Sequence, residues 1–286
     1  MDVLPPPDYL PVQPSDYPQI PTRTPPATLE VLRASCVSGD IQTFREILES
    51  QSSSSDGFDI CDFYAIMIEA TKRDDVQFIK ELLDCGLPMD PLYALEAVNA
   101  KGKDALEVFL KNGWDINQPM SELKPTVLGY AITDEEMVAW LLDHGADPNR
   151  QCVIDFTPLS LAVESAPVSV IQLMLSRGGD VRKGQLLHHA IERNSDIIAV
   201  LSLLLEKGAS INSTMYKDHY PSRTLSSFML GTPLHKAAEL GKADVVSYLV
   251  SKGANLNNKD AKGRTALEYA RMLNQREVIH ALEKSK

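Results

Sequence analysis

The residues of this 286-residue chain best suited to metal binding or nucleophilic chemistry are four cysteines and six histidines, and their spacing argues against both. Cys36, Cys61, Cys85 and Cys152 are scattered, with no CxxC pair and no histidine three to five residues away. A zinc site or a disulfide framework needs tighter grouping. The sequence therefore predicts four free thiols and no metal site, and with them a cytoplasmic or nuclear chain. His188 and His189 are adjacent, and neighbours on a helix do not face the same way. Gly102-Lys103 and Gly241-Lys242 lack the preceding glycine and strand of a phosphate loop, and neither HExxH nor GxSxG occurs. The chain is accordingly not read as an enzyme, and no cofactor is expected.

Charge and hydropathy narrow the classes further. The formal net charge is −11, so a phosphate backbone is not an expected partner and no nucleic-acid binding is predicted. No apolar run approaches the roughly 20 residues that span a bilayer, so no membrane association is expected. Met1 to Leu10 lacks the basic start and apolar core of a secretory signal. From Lys259 onward the local charge is +3, leaving −14 for the rest. A basic end on an acidic body either steers a partner or is simply a solvated cap.

The elements that must position any site begin after a proline-rich arm. Nine of the 18 prolines lie in the first 26 residues. Proline removes backbone donors and blocks helix interiors, so residues 1–27 are expected to be extended or disordered. Pro6, Pro7 and Tyr9 match the PPxY pattern read by WW domains, against the plainer reading of a floppy tail. Ser50 to Gly57 reads as a polar loop.

Beyond the arm the sequence repeats. In the clearest unit, Thr232 suits a helix cap and Pro233 the first helical position. Leu234, Ala237 and Ala238 form an apolar face, and Gly241 separates two short helices. Val245, Val246, Leu249 and Val250 give the second helix its stripe, and Gly253 suits a left-handed helix end. Fainter copies are led by Leu32, Met67, Leu95, Leu128, Leu159, Leu187 and Leu267, at spacings of 28 to 35 residues except for one step of 47 from Leu187 to Leu234. That step contains an insertion, residues 213–230, with Tyr216, Tyr220 and Phe228 beside Lys217 and Arg223. The insertion is expected to be functional and not structural, or else to tuck Phe228 and Met229 onto the next unit.

A period near 33, two helices per unit and the run Thr232-Pro233-Leu234-His235-Lys236-Ala237 resemble the ankyrin-repeat family. The resemblance implies an all-α solenoid of about eight helix-turn-helix units with short hairpin turns over residues 28–286. His188 and His235 then become hydrogen-bond bridges between units. It further implies a monomeric scaffold or adaptor that binds another protein on its concave face. Expected contact residues there are Lys72, Arg73, Phe156, Glu164, Ser165, Glu239, Leu240, Arg264, Met272 and Leu273. To these the sequence adds Tyr216, Tyr220 and Arg223 of the insertion and Trp114, which stands where the better copies have alanine. Trp114 either fills a packing gap or anchors a partner, whereas Trp140 is expected in the core. Two alternatives stay open. One is a small-molecule-binding or biosynthetic protein whose groove is closed by the 213–230 insertion, with Tyr216, His219 and Tyr220 the first residues to suspect. The other is a ubiquitin-ligase adaptor recruited through the PPxY-like motif, the chain ending at its last repeat without room for a C-terminal ligase-recruiting box.

Overall fold

The structure is a computed structural model that describes residues 24–52, 59–217, 219, 222 and 231–285. The chain divides into two compact units. One comprises residues up to Ala70 together with Asp75–Pro88. The other comprises Thr71–Asp74 and everything from Met89 onward. Residues 1–23 of the predicted proline-rich arm, with Pro6, Pro7 and Tyr9, lie outside the described residues.

In the first unit, α1 (Pro26–Ser38) packs on α2 (Ile41–Ser52), and α2 packs on α4 (Val76–Asp84). A 3-10 turn, Ile60–Phe63, leads into α3 (Tyr64–Lys72). The sequence places Pro25 and Pro26 in the arm, yet Pro25 caps α1 and Pro26 takes its first turn. The missing N–H costs nothing there, because the first turn has no carbonyl to receive it. Helix α2 likewise takes in Ser50 to Ser52, the start of the predicted polar loop, and Ser50 Oγ donates to the Ile47 carbonyl at 2.9 Å. Phe44 and Phe78 meet edge to face in the core of this unit, 5.0 Å apart.

The second unit repeats one motif. Its pairs are α5 (Pro91–Ala100) with α6 (Lys103–Lys111), and a 3-10 turn (Val127–Tyr130) with α7 (Glu135–Asp143). They continue with α8 (Pro158–Ser165) and α9 (Val168–Ser176), then α10 (Leu186–Glu192) and α11 (Ile197–Glu206). The last are α12 (Pro233–Glu239) with α13 (Ala243–Ser251), and α14 (Ala266–Met272) with α15 (Arg276–Lys284). The first helices stack in order, α8 on α10, α10 on α12, α12 on α14, and the second helices form a parallel row, α7 on α9 and α11 on α13 on α15. One β-hairpin appears among the described residues, β1 (Pro119–Ser121) with β2 (Lys124–Thr126). The turn before α14 carries an isolated antiparallel bridge, Lys259 with Thr265. The pair led by Leu128 has only a 3-10 turn where its first helix should be. Gly129 stands in its histidine slot, and Asp134 caps α7 too soon for a second helical turn.

The Thr-Pro-Leu-His run shows why this pattern folds as it does. Thr232 N–H donates to His235 Nδ1 at 3.2 Å, so Nε2 carries the ring proton and donates to the Arg264 carbonyl at 3.0 Å. One imidazole thus closes its own helix start and ties it to the turn before α14. His188 Nε2 meets the Gly231 carbonyl at 3.0 Å, and Ser160 Oγ, in the same slot of α8, donates to the Gly184 carbonyl at 2.7 Å. The bridging role expected of His188 and His235 is therefore present, with serine serving as a shorter version. Burial pushes His188 down to about 4 and holds His235 below the ordinary histidine range. For a histidine whose folded pKa is depressed, the unfolded chain binds the extra proton as pH falls below about 6.5. Stability contributed by neutral His235 is thus lost below that pH. His235→Gln is expected to flatten this part of the acid dependence of the melting temperature. An unchanged slope between neutral and acid pH would count against the assignment.

Two further ladders link the pairs. Asn117 donates through Nδ2 to the Gly145 carbonyl and accepts from Asp147 N–H, and Asn149 repeats this with Gly178 and Asp180. The second ladder covers the ends of the first helices. Arg193 donates to the carbonyls of Val163 and Ala166, Lys242 to those of Ile191 and Arg193, and Gln275 to that of Glu239. Each helix end has carbonyls with no intrahelical partner, and the following pair satisfies them. Arg193→Ala should therefore cost about 2 kcal/mol, since it leaves buried acceptors unmet. A denaturant melt that moves by a few tenths of that would contradict it.

Candidate partner-binding face

Because α8, α10, α12 and α14 stack in order, residues near their C-terminal ends fall into one row. Beside the row lies Phe156, half-buried ahead of the first turn of α8, whose ring is 5.2 Å from that of His189. Glu164 on α8 and Glu192 on α10 bring carboxylate oxygens to 3.3 and 3.6 Å from His189 Nδ1. Lys236 on α12 reaches Glu192 at 2.6 Å and Glu239 at 3.5 Å. Burial opposes the charge of His189, but the two carboxylates outweigh it and hold its pKa above the ordinary value. Burial also opposes the charge of Glu192, yet His189 and Lys236 bring that carboxyl down to about 2. Beyond this polar stretch the row turns apolar and open, with Leu240 41% exposed, Met272 53% and Leu273 39%.

The expected contact residues thus divide. Glu164, Ser165, Glu239, Leu240, Met272 and Leu273 lie at the ends of stacked first helices, Phe156 lies against His189, and Arg264 sits beside Met272 with its Nη1 3.1 Å from the sulfur. Arg264 is also held by Asp260 and lies 4.8 Å over the Tyr269 ring. Lys72 and Arg73, at the end of α3, are exposed. Trp114 is different. It is 6% exposed and fills a gap in the packing, so the anchor reading is set aside. Trp140, expected in the core, is only half-buried and stacks on His144 with ring centroids 3.8 Å apart. Sequence reasoning missed His189, Glu192 and Lys236. The available signal was the i, i+3 spacing of His189 and Glu192 on one helix face.

Only part of the insertion is described. Tyr220, Arg223, Phe228 and Met229 lie outside the described residues. Tyr216 is half-buried with φ 55°, a left-handed conformation uncommon for an aromatic residue. Ser222 is 2% exposed, and its Oγ accepts the Asp155 N–H at 2.7 Å while contacting His219 Nδ1 at 2.9 Å. Ser222 thus ties this part of the insertion to the turn before α8. A cavity of about 700 Å³ opens here, with Arg182, Lys183, Lys217 and His219 on its walls and Asp155 at its back.

The likeness to known proteins follows the same residues. The family described as Ankyrin repeats (3 copies) matches residues 92–185 and 187–285. The chain belongs to the ankyrin-repeat family. The human ASB11 ankyrin repeat domain shares the fold, at a TM-score of 0.55 and 23% identity over 77% of this chain and 97% of that one. A putative palmitoyltransferase ZDHHC13 of Danio rerio is 24% identical over 76% of this chain and 34% of its own length. A putative ankyrin repeat protein FPV018 of Fowlpox virus is 24% identical over 72% and 32%. The chain thus spans about a third of the length of these two relatives. Ankyrin repeats generally mediate protein–protein interactions, and the ankyrin fold is typically non-enzymatic. No described helix is long and apolar enough to cross a membrane.

Proposed function

We propose that this chain is an interaction scaffold or adaptor that docks a partner protein along the row of first-helix ends from Glu164 to Leu273. The observation that carries this reading is the open apolar stretch Leu240, Met272 and Leu273, continuous with the charged stretch Glu164, Glu192, Lys236 and Glu239. Exposed apolar groups rimmed by charges are the composition of a docking surface, where the apolar part supplies affinity and the charges select the partner. The test compares the full chain with Leu240→Arg and Met272→Arg together in affinity purification from native cells. Partners recovered by the wild type are expected to be lost while the melting temperature holds. Equal recovery would exclude this face.

The cavity beside the insertion supports a second reading, a site for a small anionic molecule. Lys183 and Lys217 are exposed on its walls, and convergent cationic groups in a concave site of this size suit such a ligand. Native mass spectrometry of the chain and of Lys183→Glu would separate the readings, since only the second predicts a bound small molecule lost in that variant.

A further inference from the structure

Glu164, His189 and Glu192 come from two stacked helices, and one ligand atom of each falls within 4.8 Å of the other two. His189 is 8% exposed, its Nε2 has no hydrogen-bond partner among the described residues, and its Nδ1 has only the two carboxylates, placed outside hydrogen-bond geometry. Its Nδ1 points between the two carboxylates, at 3.3 and 3.6 Å. We propose that these three side chains form a binding site for one small divalent cation of the zinc class.

The geometry suits that ion. Zinc binds imidazole nitrogen and carboxylate oxygen at about 2.0–2.2 Å, so neighbouring ligands around a tetrahedral ion stand about 3.4 Å apart. Both measured separations from Nδ1 lie close to this spacing. The ring is already held against Phe156, so little side-chain freedom remains to be lost on binding. Glu192 divides its oxygens, with Oε1 2.6 Å from the Lys236 ammonium and Oε2 toward His189, and this contact orients the ligand oxygen. The charge balance also suits a dication. An ion would bind His189 in its neutral form, and Glu164, Glu192 and Glu239 then stand against Lys236 alone, leaving a local charge of −2 for the dication to offset. The Glu164 and Glu192 side chains remain 40% and 33% exposed, so a fourth position faces water or an incoming ligand. The site shares Glu164 and Glu192 with the proposed docking face, but it is argued from ligand geometry alone and stands or falls separately.

The test is calorimetric titration of the full chain with zinc, paired with the absorption spectrum of its cobalt(II) form. One equivalent is expected to bind, with a cobalt spectrum free of thiolate charge-transfer bands. Glu164→Gln should weaken binding by more than about tenfold, and His189→Gln should abolish it. Glu164 is surface-facing, so its variant keeps the assay decisive if the buried His189 variant fails to fold. Three results would overturn the site: no saturable zinc binding, equal binding by wild type and Glu164→Gln, or thiolate bands that place the ion on cysteine. The first would leave His189 as an imidazolium held between two carboxylates.

Discussion

Replacing Leu234 with alanine is expected to destabilise the chain by about 2–5 kcal/mol. Leu234 is 1% exposed in α12, which packs on both α10 and α14. Truncation removes apolar contact and leaves a cavity that the flanking helices cannot close, because their spacing is held by His188 and His235 bridging to fixed carbonyls. The effect should spread beyond one pair. Each unit of a repeat protein draws much of its stability from the neighbouring interfaces, so weakening α12 weakens both. An equilibrium denaturant melt reads the change. A shift below about 0.5 kcal/mol, the size of an ordinary surface substitution, would show that this pair is not packed as described.

The second large effect is expected at Asp155. Its side chain joins one turn to the next, and its backbone N–H holds the insertion. The carboxylate accepts from Gly184 N–H at 2.9 Å and from the amides of Gln151 and Gln185 at 2.5 Å each, and the residue is 5% exposed. Asp155→Ala removes charge-assisted bonds and strands a buried N–H, for a loss of about 3 kcal/mol. It should also loosen the insertion, because the backbone N–H of residue 155, which the substitution keeps and which binds the Ser222 hydroxyl, loses the side-chain bonds that hold its turn in place. Two readouts check this: the denaturant midpoint, and amide exchange across residues 213–219. A lower midpoint with unchanged exchange would mean that the insertion is held elsewhere. An unchanged midpoint would remove Asp155 from the network altogether.

Much of the fold was legible because its instructions are local. Thr232, Pro233, Leu234 and His235 specify a capped helix start within four residues. Gly253 needs its φ of 92° at a helix end, and only glycine takes that conformation without strain. The period near 33 then implied stacking, since a pair with one apolar face cannot stand alone. Where the copies are weak the reading failed locally. Nothing in Thr126 to Asp134 announced a 3-10 turn. Trp140 looked like core because it precedes Leu141, yet it stacks at the surface on His144, one helical turn away.

The candidate face was only partly legible. Glu164, Glu239, Leu240, Met272 and Leu273 could be named from their places in the repeat, because the repeat itself sets which positions face inward. The cluster of Glu164, His189, Glu192 and Lys236 could not. Its members are spread over 72 residues and meet only because three helices stack in one register. The two asparagine and helix-end ladders were hidden for the same reason, as Asn117, Asn149, Arg193 and Lys242 read as ordinary turn or surface residues until the next pair supplies their carbonyls. The sequence by itself determined the helix pairs, their caps and their period, which depend on neighbours a few residues apart. The tertiary structure alone decided the bridges between pairs and the charged cluster, which depend on distances that no short stretch of sequence contains.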